Sequence, residues 1–426
     1  MMRNTPEIVI AGGGIGGLAL ALSLHHNGFR NIGIYESMPA VKELGVGINL
    51  LPHAVRELTE LGLLPALEAV AIPTAELAFF NSHGQRIYSE PRGLAAGYKW
   101  PQFSIHRGDL LMLLYRAAIE RLGPERFHAG HHLSRFAETA NGRVTVEFVD
   151  RASGETILTK EADVLVGADG VHSVVRRALY PNEGPPKWNG ITMWRAVTVG
   201  KPFLSGRTMF MAGHFAQRVV VYPISKVYED RGQSLINWVA EYRTAEGRAM
   251  PPQDWSHHGR LEDVLRLFGN FVFPWLDMTE VFRKAEVIYQ YPMVDRDPVD
   301  RWSFGPVTLL GDAAHPMYPV GSNGASQGIL DGRVLARALA LSGNVREALE
   351  AYDAERRPAT ARVVLLNREV GAEKCLEIAH ERAPQGFERI EDVITQAELD
   401  ALALRYKQIA GFDQDTLNNR SSLSVV

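Results

Sequence analysis

Ile8-Val9-Ile10-Ala11-Gly12-Gly13-Gly14-Ile15-Gly16-Gly17 is a short apolar run that stops abruptly in glycines. An unbroken apolar run bounded by glycine predicts a buried strand over 7–11. The next stretch, 16–27, reads as the helix behind it, ended by Gly28. A second strand over 31–35 ends on Glu36, giving one β-α-β unit in about thirty residues. Gly12, Gly14 and Gly17 supply Gly-x-Gly-x-x-Gly between strand and helix. Gly12 permits the tight turn, Gly14 lets a pyrophosphate approach the backbone, and Gly17 lets helix and strand pack closely. The helix N-terminus offers free N–H groups to phosphate, at Ile15 and Gly16 as well. Glu36 stands where a carboxylate accepts ribose hydroxyls. Dinucleotide binding is the expectation, and this fingerprint alone does not separate FAD from NAD.

The run 8–24 could be mistaken for a signal peptide or a short span. It holds five glycines and is too short for about 20 apolar residues. The expectation is a cytoplasmic protein. The chain has 426 residues, 46% hydrophobic and 22% charged, enough for two or three domains with a substantial core. Lys+Arg 45 against Asp+Glu 49 gives −4, which argues against nucleic-acid and membrane-surface partners. A single cysteine, Cys375, excludes an internal disulfide and a dithiol redox centre. No His-Glu-x-x-His, Cys-x-x-Cys or EF-hand pattern occurs, so no metal site is expected.

Outward from the first unit, 52–64 and 108–122 read as helices, and alternating runs between 126 and 160 as a hairpin or meander. Residues 163–166 form another continuous apolar strand. From 188 the texture changes to short runs rich in Val, Tyr and Trp: 191–199, 218–223, 234–242 and 286–291. A β-sheet domain inserted into the first is the expected reading. Val307 to Leu310 returns to a buried strand, followed by a helix over 325–341. The organisation expected is therefore α/β: a discontinuous Rossmann-type nucleotide domain over 1–187 and 299–343, a substrate domain over 188–298, and C-terminal helices over 344–412. A polar tail, 413–426, is expected to fray.

Two further segments follow predicted strands. They are Gly167-Ala168-Asp169-Gly170-Val171-His172-Ser173-Val174-Val175-Arg176 and Gly311-Asp312-Ala313-Ala314-His315-Pro316. Each alone could be a helix N-cap. Together, in this order, they resemble the second and third FAD signatures of the flavin-dependent aromatic hydroxylases, the para-hydroxybenzoate hydroxylase family. His106-Arg107-Gly108-Asp109-Leu110 resembles that family's segment whose arginine reaches the cofactor, and Gly45-Val46-Gly47-Ile48-Asn49 resembles the loop beside the flavin ring. The stretches 190–195, 291–298 and 321–327 are similar to phenazine hydroxylases within the family.

The resemblance implies a fold, a cofactor and a chemistry. FAD would be held by Gly12 to Gly17, Glu36, Val46, Gly47, Arg107, Leu133, Asp169 and Asp312, and by the loop Val320, Gly321, Ser322 and Asn323. Asp312 would bond the ribityl chain, and the loop's backbone N–H groups would stabilise negative charge at the pyrimidine end. Many relatives carry Gly-Gln-Gly-x-Asn where this chain has Gly321-Ser322-Asn323-Gly324. NADH or NADPH would visit transiently, since no second Gly-x-Gly-x-x-Gly exists. Reduced flavin would add O₂ at C4a, and the hydroperoxide would hydroxylate an aromatic or N-heteroaromatic ring. Met193, Trp194, Tyr222, Gln290, Tyr318 and Pro319 are the candidates for lining the substrate pocket. No catalytic base stands out, and a ring already rich in electrons needs none. A flavin halogenase or dehydrogenase, or a non-catalytic flavin-binding protein, stays open as an alternative, although the halogenase signature Trp-x-Trp-x-Ile-Pro is absent. The C-terminal helices could pack on the body or build a homodimer.

Overall fold

The strand Ile8–Ala11 is buried at every position and pairs in parallel with Ile32–Glu36 on one side and Val164–Gly167 on the other. The structure, a computed structural model, describes residues 6–42, 45–244, 249–251, 257–369, 373–411 and 413–425. Val307–Leu309 joins beyond Val164–Gly167, and Phe127–Ala129 closes the opposite edge, so all five strands of this sheet run parallel. Continuous apolar strands suit a sheet covered on both faces. Helix Ile15–His26 provides part of that cover, packing against helix Gly324–Leu341. The alternating runs after 126 form an antiparallel three-stranded meander over His132–Glu138, Val144–Val149 and Thr156–Ala162.

The second sheet has seven strands, in the order 289–295, 187–200, 234–243, 217–223, 208–214, 76–80, 86–91. Its last two strands come from the first part of the chain, and 76–80 pairs in parallel with 208–214. The substrate sheet is thus not confined to 188–298, as the sequence reading had it. The reason is edge satisfaction: strand 208–214 has a second row of backbone donors and acceptors, which the hairpin 76–91 pairs. One face carries Met193, Met209, Met211, Val220, Tyr222 and Tyr291. The other carries Trp194, Phe210, Val219, Val221 and Trp238, sealed beneath helices Leu261–Phe268 and Met278–Arg283. Burying a side chain such as Phe210 contributes about 1.5–3 kcal/mol.

The tail does not fray. Asp413 caps a helix over Gln414–Asn419 by accepting from the Thr416 amide at 3.1 Å. Leu417 is fully buried, Arg420 pairs with Glu57, and Arg333 donates to Ser424 at 2.7 Å. A polar stretch reads as solvated until an apolar residue such as Leu417 finds a groove, which Leu51, Tyr98, Val363, Leu366 and Ala410 provide.

His53 sits on helix Pro52–Glu60 with no exposed surface. Burial, with the charges of Arg420 and Arg356, lowers its pKa to about 3. The unfolded chain takes up the proton first as pH falls below about 6.5. Acid therefore shifts the balance toward unfolding, and the contribution is present above pH 6.5 and lost progressively toward pH 3. Between pH 7 and pH 5 the unfolding free energy is expected to fall by about 2 kcal/mol from this group. Urea titrations at the two pH values check it: in His53→Leu the acid slope should shrink, and an unchanged slope would refute the assignment.

Candidate FAD and substrate cleft

Gly12 adopts φ +114°, and a Cβ there would collide with the Ala168 carbonyl oxygen of the neighbouring strand end. A Cβ on Gly17 would run into the Gly12 carbonyl, so strand end and helix start touch through backbone alone. Gly14 differs: nothing lies within 4 Å of where its Cβ would be. The first two glycines are required by the protein itself, and the third leaves room for something else. At the end of the adjacent strand, Glu36 accepts from the Gly13 amide at 2.8 Å and from the Met38 amide at 2.8 Å. Its carboxylate is thereby held over the glycine turn.

Asp169 accepts from the Ser173 hydroxyl at 2.5 Å and from the Val174 amide at 2.7 Å. Burial raises its pKa, and those bonds oppose the rise. Ser173 in turn caps the short helix by accepting from the Arg176 amide at 2.9 Å. Arg176 itself carries the second signature onto the third. It donates to Ala313 O at 3.1 Å, Ala314 O at 2.6 Å and Asp297 O at 3.0 Å, with Glu183 as its counter-ion.

Asp312 is solvent-exposed, yet its surroundings are crowded enough to raise its pKa, against the pull of His315 and Arg107. That combination belongs to a carboxylate lining a deep cleft. Arg107, exposed at the start of helix Arg107–Leu122, is near enough for its charge to be felt there. Behind Asp312 the loop is fixed by a buried cluster. Asp331 accepts from the Gly311 amide at 3.1 Å, meets His315 Nε2 at 2.5 Å and pairs with Arg356 at 2.8 Å. Arg356 also donates to Gln327 at 2.6 Å, and Gln327 to Asn323 at 3.2 Å. Buried Asn323 precedes helix Gly324–Leu341, and before it Gly321 and Ser322 both take left-handed backbone at φ 66° and 59°.

Opposite this loop, Gly47 is pinned by the second sheet. Its amide donates to Asn237 Oδ1 at 2.6 Å, and its carbonyl accepts from Arg195 at 2.8 Å and from Tyr222 Oη at 2.9 Å. Burial pushes the Tyr222 phenol up to about 12, so it serves here as a donor. Val46 is buried beside Gly47. Leu133 is also buried, within the core of the nucleotide domain, and its side chain faces away from solvent.

Of the six substrate candidates, Met193 and Tyr222 lie on the sheet face that looks toward Val320, and Tyr318, in the loop before Val320, packs against that face. Pro319 is exposed beside them. Trp194 and Gln290 are corrected. Side chains alternate along a strand; Trp194 follows Met193 and packs in the opposite core, and Gln290 is its register partner. Met209, Met211 and Tyr291 occupy the cleft face instead. A cavity lies between Val320–Ser322 and this face, lined by Leu77, Phe79, Met209 and Met211 with Arg92, Gln102 and Glu373. A second cavity also borders Val320 and is lined by Tyr318, Ile191 and Met293. Glu373 forms a buried ion pair with Arg218 at 2.7 Å, and Arg218 a second with Glu241 at 2.8 Å. Burial and Glu241 raise the Glu373 carboxyl, and Arg218 lowers it less than they raise it. Sequence reasoning did not single out Glu373, Arg195, Asp331 or Arg356; their roles depend on partners far along the chain.

The family described as FAD binding domain matches residues 5–259 and 278–366. The chain is 44% identical over 364 residues to phenazine 1,6-dicarboxylic acid hydroxylase of Lysobacter antibioticus, covering 85% of this chain and 89% of that protein. It is 31% identical to 3-hydroxybenzoate 6-hydroxylase of Polaromonas naphthalenivorans, covering 90% of each. Among solved structures, a salicylate hydroxylase substrate complex superposes with a TM-score of 0.71 at 23% identity, covering 99% of this chain and 100% of that one. HpxO of Klebsiella pneumoniae complexed with FAD and uric acid gives 0.71 at 22%, with 96% of both covered. A glycine turn with room at Gly14, a carboxylate at Glu36 and a cleft-lining Asp312 fit FAD, and the chain belongs to the FAD-binding family of flavin-dependent aromatic monooxygenases.

Proposed function

We propose that this monooxygenase hydroxylates an N-heteroaromatic ring of the phenazine class, held in the cavity between Val320–Ser322 and the sheet face. The observation that carries the reading is 44% identity over 85% of the chain to a phenazine hydroxylase, joined to an apolar cavity beside the expected flavin loop. When bound, FAD supplies reduction by NAD(P)H and activation of O₂. The residues of this chain do the rest. Gly12, Gly14 and Gly17, with Ile15 and Gly16, receive the pyrophosphate; Glu36 receives the adenosine ribose; Asp169, Arg107 and Asp312 line the path to the ring. Val46 and Gly47, fixed by Asn237, Arg195 and Tyr222, would hold the ring of FAD together with the amides of Val320 to Asn323. Leu77, Phe79, Met209 and Met211 exclude water from the reacting carbon.

The chain divides on this reading into a nucleotide domain, a substrate sheet and C-terminal helices that cover the cleft. No described helix is long and apolar enough to cross a membrane. A cytoplasmic location without nucleic-acid or membrane partners goes with the reading, supported by the −4 net charge.

The test follows oxidation of NADH and NADPH by the FAD-loaded protein, with O₂ uptake and product mass recorded together. Phenazines, hydroxybenzoates and hydroxypyridines form the panel. A phenazine is expected to accelerate pyridine-nucleotide oxidation and to gain about 16 mass units, one oxygen atom delivered through the cofactor. Peroxide as the only product with every phenazine, alongside turnover of a one-ring substrate, would overturn the phenazine assignment.

A further inference from the structure

Two ion-pair clusters reach the cavity wall. Glu90 is shared by two cations: Arg92 pairs with it, and Lys407 Nζ lies 2.5 Å from its other oxygen. Both cations are partly exposed, and Glu90 between them is buried. Arg218 is shared by two carboxylates, Glu241 at 2.8 Å and Glu373 at 2.7 Å. Buried Arg195 also acts on Glu241, so Arg218 is the cation that Glu373 shares with it. Arg92 and Glu373 both line the cavity, and they are paired elsewhere rather than with each other.

A buried polar atom without a hydrogen-bond partner is costly, so such atoms are normally matched. Here Arg92 Nε is buried with no hydrogen-bond partner, and so is Gln102 Oε1, on a side chain only 2% exposed. The remaining oxygen of Glu373 faces only a long contact of 3.5 Å from the Gly321 amide. Unused polar groups thus meet at one cavity whose other walls are apolar. We infer that this cavity selects a bipolar aromatic ring, placing an anionic substituent against Arg92 and a hydrogen-bond donor against Glu373. Gln102 offers a second acceptor for the donor edge. The inference rests on the hydroxylase reading for the cavity's use, and it adds which substituents the ring must carry.

The assignment is tested by binding, read from the absorbance change of the flavin when the FAD-loaded protein is titrated. The probes are phenazine, phenazine-1-carboxylate and 1-hydroxyphenazine. In the wild type both substituted rings are expected to bind about tenfold or more tighter than phenazine, the size of one charge-assisted hydrogen bond. Arg92→Gln should remove the advantage of the carboxylate alone, and Arg92→Lys should restore part of it. Glu373→Gln should remove the advantage of the hydroxyl alone. Each variant is first checked for FAD content and melting temperature. Should E373Q fail to fold, the Arg92 pair decides between the outcomes. Three rings binding alike, none binding, or R92Q weakening all three equally would overturn the inference. Wild-type turnover is measured separately. Hydroxylated product with indifferent binding would leave the hydroxylase reading standing and sink the charge assignment; selective binding without product would do the reverse.

Discussion

Gly17→Ala is expected to abolish the folded, FAD-retaining protein, whereas Gly14→Ala is expected to fold normally and lose only the cofactor. The two glycines stand three residues apart in one motif, so the contrast isolates geometry from composition. At Gly17 a methyl group would meet the Gly12 carbonyl oxygen, backbone against backbone, with nothing able to rotate away. Strand and helix would have to separate, and overpacking of this kind costs about 1–3 kcal/mol or more. The buried core on both sides, from Ile8 to Leu24, would feel the displacement. At Gly14 the same methyl group meets no protein atom within 4 Å. Its effect appears when a pyrophosphate occupies that space, and a clash of about 1.4 kcal/mol already lowers affinity tenfold. The measurements are the melting temperature of the apoprotein and the ratio of flavin to protein absorbance after purification. A G14A protein with wild-type FAD content, or a G17A protein with wild-type melting, would contradict the assignment.

Asp331→Ala is expected to cost about 3–5 kcal/mol, because it strips a buried arginine and a buried histidine of their shared carboxylate. Asp331 has no exposed surface and receives His315, Arg356 and the Gly311 amide together. The loss should reach the cofactor as well, since Gly311 and His315 bracket Asp312. Asp331→Asn keeps the shape and removes the charge, and should fall between the two. Burial alone would raise this carboxyl, but His315 and Arg356 outweigh it and hold it below its ordinary value. Its contribution is therefore present above the ordinary carboxylate pKa and lost as pH falls through the lowered one. Urea titration with FAD content read in parallel checks the claim; an alanine variant within about 1 kcal/mol of wild type would refute it, being the ordinary size of a surface change.

What the sequence disclosed and what it hid divide along a physical line. The β-α-β unit was readable because an apolar run, a glycine turn and a carboxylate lie within one local stretch. The seven-stranded sheet was only partly readable. Met193 and Trp194 could not both face the flavin, since neighbours on a strand point oppositely, but nothing local says which one does. The strand expected over 286–291 runs over Tyr289–Asp295, and its pairing sets Gln290 opposite Trp194 on the far face. The hairpin 76–91 joins a sheet whose other strands begin at 187, and no short window carries that information. Asp331, Arg356 and Arg333 look like the polar face of ordinary helices. Their burial depends on partners such as His315, Glu57 and Ser424, remote in the chain.

The order of strands in the parallel sheet has a consequence for how the protein is made. Its first strand leaves the ribosome at residue 8, but the strand carrying the third signature arrives only at 307. Helix Gly324–Leu341, whose start backs the ring loop, follows later still, and Arg333 on that helix bonds Ser424, 91 residues further on. Closing loops of that length is slow compared with forming local turns. The nascent chain can build the glycine turn early but has no complete cradle to offer. A complete FAD cradle therefore waits for the residues that follow 307, and flavin loading waits with it.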